Sequence, residues 1–169
     1  LAIRNEQGED LPDHHIGKVW CKGPSVMHSY FRDPDSTAAC LVDGWLDTGD
    51  MGYMVDGYLF IVGRAKDMII INGKNHWPQD IEWAVEQLPG FNHGDIAAFS
   101  VEGARGEEEV AVLVHCRVSD PVERQKLHDT IRDKVRSILG HPAIVELVPP
   151  RTLPRTSSGK LSLAKAKRM

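Results

Sequence analysis

The sequence changes character near Gly63, and this change limits what the chain can fold into. Before it, turn-forming pairs recur at short intervals, for example Gly-Pro at 23–24 and Asp-Gly at 43–44. The stretches between the turns, such as 18–21 and 58–62, are short and contain β-branched and aromatic residues. Because no long helical period occurs in this part, we predict that it is a β-rich piece of structure.

After Gly63 the pattern is that of a hairpin followed by alternating helices and strands. The apolar run 68–71 followed by Asn-Gly at 72–73 predicts a tight β-hairpin, because Asn-Gly accommodates the positive φ angles of such a turn. Pro78 opens a predicted helix that ends at Pro-Gly, residues 89–90. Its apolar residues recur at helical spacing: Ile81, Ala84, Val85 and Leu88.

The first of these helices is predicted to carry two acidic residues in its first turn, Asp80 and Glu82. There a negative charge would oppose the positive end of the helix dipole. Two strands are predicted to follow, at 95–101 and 109–118, across a charged loop.

A second helix is predicted from Pro121, with Asp120 as its N-cap and Gly140 as its C-terminal cap. Its buried stripe is formed by Leu127, Ile131, Val135 and Ile138. A last strand is predicted at 143–148, before two prolines and a basic loop. This order predicts an α+β domain (β-hairpin, α, ββ, α, β) with helices on one face of a small, mostly antiparallel sheet.

Composition excludes several other classes of protein. Hydrophobic residues make up 41% and charged residues 26% of the 169 residues, which is typical of a globular chain. The longest apolar run, 110–114, is too short for a membrane span, and no signal peptide is recognised. Three widely spaced cysteines predict no disulfide framework and a cytoplasmic location. The tryptophans do not alternate with a basic face, so nucleic-acid binding is not predicted.

Two segments near Gly63 could carry chemistry. In the Gly-Trp-Leu-Asp-Thr-Gly-Asp segment at 44–50, Asp50 could accept hydrogen bonds from a vicinal diol such as a ribose; the alternative is an ordinary turn. In the Gly-Arg-Ala-Lys-Asp segment at 63–67, Arg64 could bind phosphate or ribose oxygens. Lys66 and Asp67 could lie at a hinge, and the alternative is a surface ion pair in a linker.

Two further segments lie in the second half. Segment 72–82 is a hairpin and helix start, in which Gly73 would also let a ligand approach the backbone. The Ser-Ser-Gly sequence before Lys160 predicts a loop that carries one cation to a remote point, where it could stabilise a charged phosphorane. This is not a nucleotide-binding Gly-Lys-Ser/Thr loop, since Leu161 follows the lysine. A solvated basic tail is the alternative, because residues 151–169 hold six basic and no acidic residues.

Taken together, segments 44–50, 63–67, 72–82 and 157–160 resemble the late motifs of the adenylate-forming superfamily. That superfamily includes acyl-CoA synthetases, peptide-synthetase adenylation domains and luciferases. Within it, the sequence Asn-His-Trp-Pro-Gln-Asp-Ile-Glu at 75–82 most resembles the fatty acyl-AMP ligases. Acyl-CoA synthetases usually carry an aliphatic residue at the position of His76.

The resemblance implies a role for each matched residue in binding ATP and activating a carboxylate. Asp50 would bind the ribose hydroxyls of ATP, and Arg64 would contact ribose or phosphate. Lys160 would be catalytic, neutralising charge as a fatty carboxylate attacks the α-phosphate and pyrophosphate leaves. ATP would enter as its Mg²⁺ complex. No metal ligand and no permanently bound cofactor are expected in the chain itself.

The remaining matched residues imply a moving domain and a thiol acceptor. Lys66 and Asp67 would form a hinge between a large N-terminal domain and a small C-terminal one. After rotation of the small domain, Gly73 and Lys74 would line the channel for the thiol acceptor. The expected organisation is therefore 1–63 as the trailing β-rich subdomain of the large domain, 64–67 as the hinge, and 68–169 as the mobile α+β domain.

The motifs that the superfamily carries upstream of these segments, including its phosphate loop, are not found here. We therefore expect a C-terminal fragment that cannot adenylate a fatty acid by itself. The expected partners of the parent enzyme are a fatty acid, ATP and an acyl carrier protein with its phosphopantetheine thiol.

Two alternatives remain open for the parent protein. The first is an acyl-CoA synthetase, with coenzyme A as acceptor. The second belongs to another class, a non-catalytic module that binds a carrier protein. The joint presence of Asp50, Arg64 and Lys160 weighs against the second.

Overall fold

The computed structural model describes residues 1–103, 106–157, 159 and 161–168. The chain divides into two compact units, Leu1–Lys66 and Asp67–Met169. The boundary falls within the segment 64–67, which the sequence predicts to be a hinge. Whether this segment acts as a hinge stays a prediction.

The first unit is an antiparallel sheet with one short helix. Its elements are β1 (Ala2–Arg4), β2 (Gly17–Cys21), α1 (Pro34–Cys40), β3 (Leu41–Val42), β4 (Trp45–Val55) and β5 (Tyr58–Arg64). The strand order is β1-β2-β4-β3, and β5 also pairs with β4. The sequence does not predict α1, which begins after Asp33; there the aspartate side chain accepts a hydrogen bond from the Ser36 N–H at 3.0 Å.

The second unit follows the predicted order of elements as far as its last strand, and a short helix that the sequence does not predict comes after it. It contains β6 (Ile69–Ile71), β7 (Lys74–His76), α2 (Pro78–Glu86), β8 (Ile96–Glu102), β9 (Glu108–His115), α3 (Pro121–Leu139), β10 (Ile144–Val148) and α4 (Leu163–Ala166). The α+β class with mostly antiparallel sheets is thereby confirmed. Strands β8 and β9 pair antiparallel, and β10 adds to β9 in parallel, so that α3 is the crossover between them. Strands β6 and β7 form a separate two-stranded hairpin.

Both ends of α3 form as the sequence predicts. The Asp120 side chain accepts hydrogen bonds from the N–H groups of Val122 and Glu123, at 3.0 and 2.9 Å. At the other end Gly140 adopts a left-handed conformation with φ of 66°. No helix among the described residues is long and apolar enough to cross a membrane.

The three-stranded sheet of the second unit buries both of its faces. Helices α2 and α3 cover one face through a core that includes Ile81, Val85, Ile131 and Val135. Leu153 and Ala166, from the C-terminal segment and α4, cover the other face, where they pack on residues of β8 and β9. The sequence predicts helices on one face and does not predict this second layer, because the segment after β10 contains mainly polar and basic residues.

Candidate functional site

Asp50 and Arg64 lie opposite each other on two paired strands of the first unit. They are register partners in the antiparallel pair of β4 and β5. The Arg64 Nε donates to Asp50 Oδ1 at 2.9 Å, and an Nη2 bond of 3.4 Å reaches the carbonyl of Thr48. The sequence predicts the two residues as separate nucleotide contacts, and the structure brings them together. Side-chain exposures of 34% and 50% leave the pair accessible to a ligand.

The backbone before Asp50 is shaped by side-chain hydrogen bonds. The Asp47 carboxylate accepts from the N–H of Gly49 at 2.9 Å, and the Thr48 hydroxyl oxygen accepts from the N–H of Asp50 at 3.1 Å. Thr48 also donates to the carbonyl of Val19 at 2.8 Å, which ties this segment to β2. Gly49 has a φ of 73°, which a residue with a Cβ adopts only with strain. The Asp50 carboxylate is therefore a preorganised hydrogen-bond acceptor beside a guanidinium.

Lys66 and Asp67 lie in a single 3-10 turn, Ala65–Asp67. Lys66 is exposed and ends the first unit, and Asp67 is half-buried and begins the second. Their predicted role as hinge residues is consistent with this position but stays a prediction.

Gly73 and Lys74 are exposed at the tip of the β6–β7 hairpin. Asn72 and Gly73 have φ angles of 50° and 74°, as the predicted Asn-Gly turn requires. A Cβ added to Gly73 would meet no atom within 4 Å. The turn is therefore open to close approach by a ligand, and its predicted role in a thiol channel stays a prediction.

Lys160, the predicted catalytic residue, lies outside the described residues. The backbone that flanks it is described. Arg155 and Leu161 form an isolated antiparallel bridge, and the N–H of Ser162 donates to the carbonyl of Pro154 at 2.9 Å. Residues 154–155 and 161–162 thus form the paired base of the loop that carries Lys160.

The position of Glu82 differs from the one that the sequence predicts. Glu82 does not lie in the first turn of α2; its Oε1 accepts a hydrogen bond from the N–H of Ala98 on β8, at 3.0 Å. Burial raises the pKa of Glu82 to about 7, and the carboxylates of Glu86 and Asp67 act in the same direction. The Ala98 hydrogen bond opposes this shift without cancelling it. The sequence offers no signal for this pairing, because it depends on how α2 packs against β8.

His115 lies at the end of β9 with its ring largely buried and hydrogen-bonded on both nitrogens. Its Nε2 accepts from the N–H of Leu153 at 3.2 Å, and its Nδ1 lies 3.4 Å from Asp95 Oδ1. Burial acts to raise the pKa of Asp95, but hydrogen bonds from Asn92 and His115 outweigh it and hold the pKa below its ordinary value. Within the described part of the chain, no group of three or more His, Cys, Asp or Glu side chains could hold a metal ion.

Comparison with known proteins identifies relatives across the whole chain. Residues 73–169 match the family described as the AMP-binding enzyme C-terminal domain. A protein of Caulobacter vibrioides named "Putative acyl-CoA synthetase" is 47% identical over 99% of this chain and 29% of its own length. FadD21 of Mycobacterium tuberculosis, named "Putative fatty-acid--CoA ligase", is 37% identical over 92% of this chain and 29% of its own.

A solved structure from work on fatty acyl-adenylate ligases of E. coli and L. pneumophila matches the same region. It is 42% identical, with a TM-score of 0.85 over 99% of this chain and 29% of the solved one. The chain therefore spans about three tenths of the length of the proteins it resembles.

Proposed function

Because the chain belongs to the family of AMP-binding enzyme C-terminal domains and is similar to a solved chain from work on fatty acyl-adenylate ligases, we propose that it is the C-terminal part of a fatty acyl-AMP ligase. The parent enzyme would convert a fatty acid and ATP into an acyl-adenylate and pyrophosphate. It would then transfer the acyl group to the phosphopantetheine thiol of an acyl carrier protein. Alone, the 169-residue chain would not adenylate a fatty acid.

In the first step a carboxylate oxygen of the fatty acid forms a bond to the α-phosphorus of ATP. The bond from that phosphorus to the bridging oxygen breaks, and pyrophosphate leaves with the electron pair. Asp50 would accept hydrogen bonds from the ribose hydroxyls, and Arg64 would contact ribose or phosphate. Lys160 would place a positive charge beside the phosphorane, where charge builds up in the transition state. Mg²⁺ would enter with ATP, bound mainly through the phosphates.

In the second step the thiol sulfur attacks the acyl carbonyl carbon, and AMP leaves with the electron pair of the broken acyl–oxygen bond. The thiol proton passes to solvent or to the leaving phosphate. The exposed hairpin turn at Gly73 and Lys74 would line the approach of the thiol. A turn that leaves space beside its backbone suits a narrow pantetheine arm.

The proposed role in nucleotide binding rests on the Asp50–Arg64 pair. The 2.9 Å ion pair holds a carboxylate in place at an accessible position, beside a cation suited to phosphate. The choice of an acyl-AMP ligase rests on segment 75–82 and is supported by the likeness to the solved chain from work on fatty acyl-adenylate ligases. The name of the Caulobacter relative favours the alternative, a synthetase that uses coenzyme A.

The test uses the longer protein that contains this chain, assayed by ATP–pyrophosphate exchange with a fatty acid. We expect Lys160→Ala to abolish exchange while the far-ultraviolet circular dichroism stays unchanged. Lys165→Ala is the matched control, because Lys165 is an exposed lysine of α4 in the same segment. Unchanged exchange in Lys160→Ala would favour the non-catalytic module.

The acceptor is identified in a second assay with the same protein. Thioester formation is measured with an acyl carrier protein and, separately, with coenzyme A. Transfer to the carrier protein is the expected result. Efficient formation of acyl-CoA would instead identify the parent as an acyl-CoA synthetase.

A further inference from the structure

The loop that carries Lys160 is fixed at its base to the sheet of the second unit. Leu153 is buried in the core beneath β8 and β9, and its N–H donates to His115. The bridge between Arg155 and Leu161 then closes the loop. This pairing fixes the two ends of the loop.

A second set of contacts joins the loop to a neighbouring turn. The guanidinium of Arg155 donates from Nη1 to the carbonyl of Gly159 and from Nη2 to the carbonyl of Gly94, each at 2.9 Å. Gly159 is the residue before Lys160 in the sequence. One planar group with donors at a fixed separation thus connects the loop to the turn before β8.

The turn at Gly94 is itself held in place. Its N–H donates to Glu86 Oε1, at the end of α2, at 2.7 Å, and the N–H of Asn92 donates to Asp95 Oδ2 at 2.9 Å. Gly94 has a φ of 82°, and a Cβ at this position would lie 3.0 Å from Nη2 of Arg155. A side chain at this position would therefore crowd the guanidinium.

We propose that Arg155 is a positioning residue for the adenylation step, and this rests on the proposed role of Lys160. By fixing the carbonyl of Gly159 against Gly94, Arg155 directs the backbone that presents the catalytic lysine. Lysine carries the same charge as arginine but has a single ammonium on a flexible chain, so it cannot make the two directed bonds at once. The geometry of the guanidinium, and not its charge, is what the loop requires.

The test compares Arg155→Lys and Arg155→Gln in the longer protein that contains this chain. For both variants we expect kcat of ATP–pyrophosphate exchange to fall on the order of tenfold, as for loss of a hydrogen bond to a charged group, with KM for ATP little changed. Thioester formation from preformed acyl-adenylate should keep its wild-type rate, because no phosphorane forms in that step. The matched control is Arg151→Lys, an exposed arginine four residues earlier, which should leave both rates unchanged.

Two results would overturn the positioning role. If Arg155→Lys kept full exchange while Arg155→Gln lost it, the residue would act through its charge. If both half-reactions fell together, with a lower melting temperature, the residue would only support the fold.

The proposed function fails by a different result, namely unchanged exchange in Lys160→Ala, and the positioning role would then fail with it. If Lys160→Ala abolishes exchange and both Arg155 variants retain it, only the positioning role is wrong.

Discussion

Glu82 makes the stability of the second unit dependent on pH. Its pKa is about 7 in the folded chain, compared with an ordinary value of 4.5. The folded state therefore holds the proton of Glu82 more tightly than the unfolded state does. Its contribution to the free energy of unfolding is complete below pH 4.5 and is lost as the pH rises through about 7. At about 1.4 kcal/mol for each pH unit, the difference between the folded and unfolded pKa amounts to roughly 3 kcal/mol. Because the side chain is only half-buried, solvent screening lowers this to about 2 kcal/mol.

Glu82→Gln removes this titration while keeping an oxygen that can accept from the Ala98 N–H. We expect the variant to match the wild type near pH 4.5 and to be more stable by about 2 kcal/mol at pH 8. The measurement is urea unfolding of the 169-residue chain between pH 4.5 and 8, followed by far-ultraviolet circular dichroism. This signal reports mainly on the second unit, which contains α2 and α3.

A stability difference that does not change with pH, or a glutamine variant that is less stable than the wild type at pH 8, would contradict the raised pKa of Glu82. Glu146→Gln is the matched control, because Glu146 is an exposed glutamate on β10 in the same unit. If this control gave the same pH-dependent gain, the gain would come from net charge and not from the burial of Glu82.

Two further predictions concern α3, and urea unfolding at constant pH measures both. Asp120→Ala removes the acceptor for two N–H groups at the start of the helix and should lower the free energy of unfolding by about 1 kcal/mol; no change would mean that the cap is dispensable. Ile131→Ala opens a cavity at a fully buried position and should cost about 2–5 kcal/mol, whereas Val122→Ala, 76% exposed on the same helix, should cost far less. Equal losses in the two alanine variants would contradict the core assignment.

The elements that the sequence predicts well are those whose signals are local. For α3 the N-cap, the first proline, the apolar stripe and the terminal glycine are all close to one another in the chain, and the structure uses each of them. Only the last member of the stripe differs, because Leu139 is buried in the core where the sequence predicts Ile138. The hairpin turn at 72–73 is similar, since Asn-Gly by itself meets the requirement for positive φ. Local signals of this kind are also why the sequence predicts the order of elements from β6 to β10 correctly.

The features that the sequence does not predict depend on distant residues. Strand β10 pairs in parallel with β9 although 28 residues, 116–143, lie between the end of β9 and the start of β10. The cover of the second sheet face by Leu153 and Ala166 comes from a segment that contains mainly polar and basic residues. The bonds from Arg155 to Gly94 and from Ala98 to Glu82 likewise join elements that no local pattern connects. For the candidate site, the sequence identifies Asp50 and Arg64 individually, but only the strand register makes them a pair.

The boundary at Lys66 and Asp67 also separates the candidate residues that would serve both half-reactions from those that would serve only one. Asp50 and Arg64 belong to the first unit and would hold the nucleotide, which is present in both half-reactions as ATP or as the adenylate. The second unit carries two separate features, the hairpin turn at Gly73 and the loop that Arg155 connects to Gly94. Under the proposed function the hairpin acts only on the thiol and the loop only on the phosphorane. Changes in the first unit should therefore affect both half-reactions, whereas changes in the second unit should separate them.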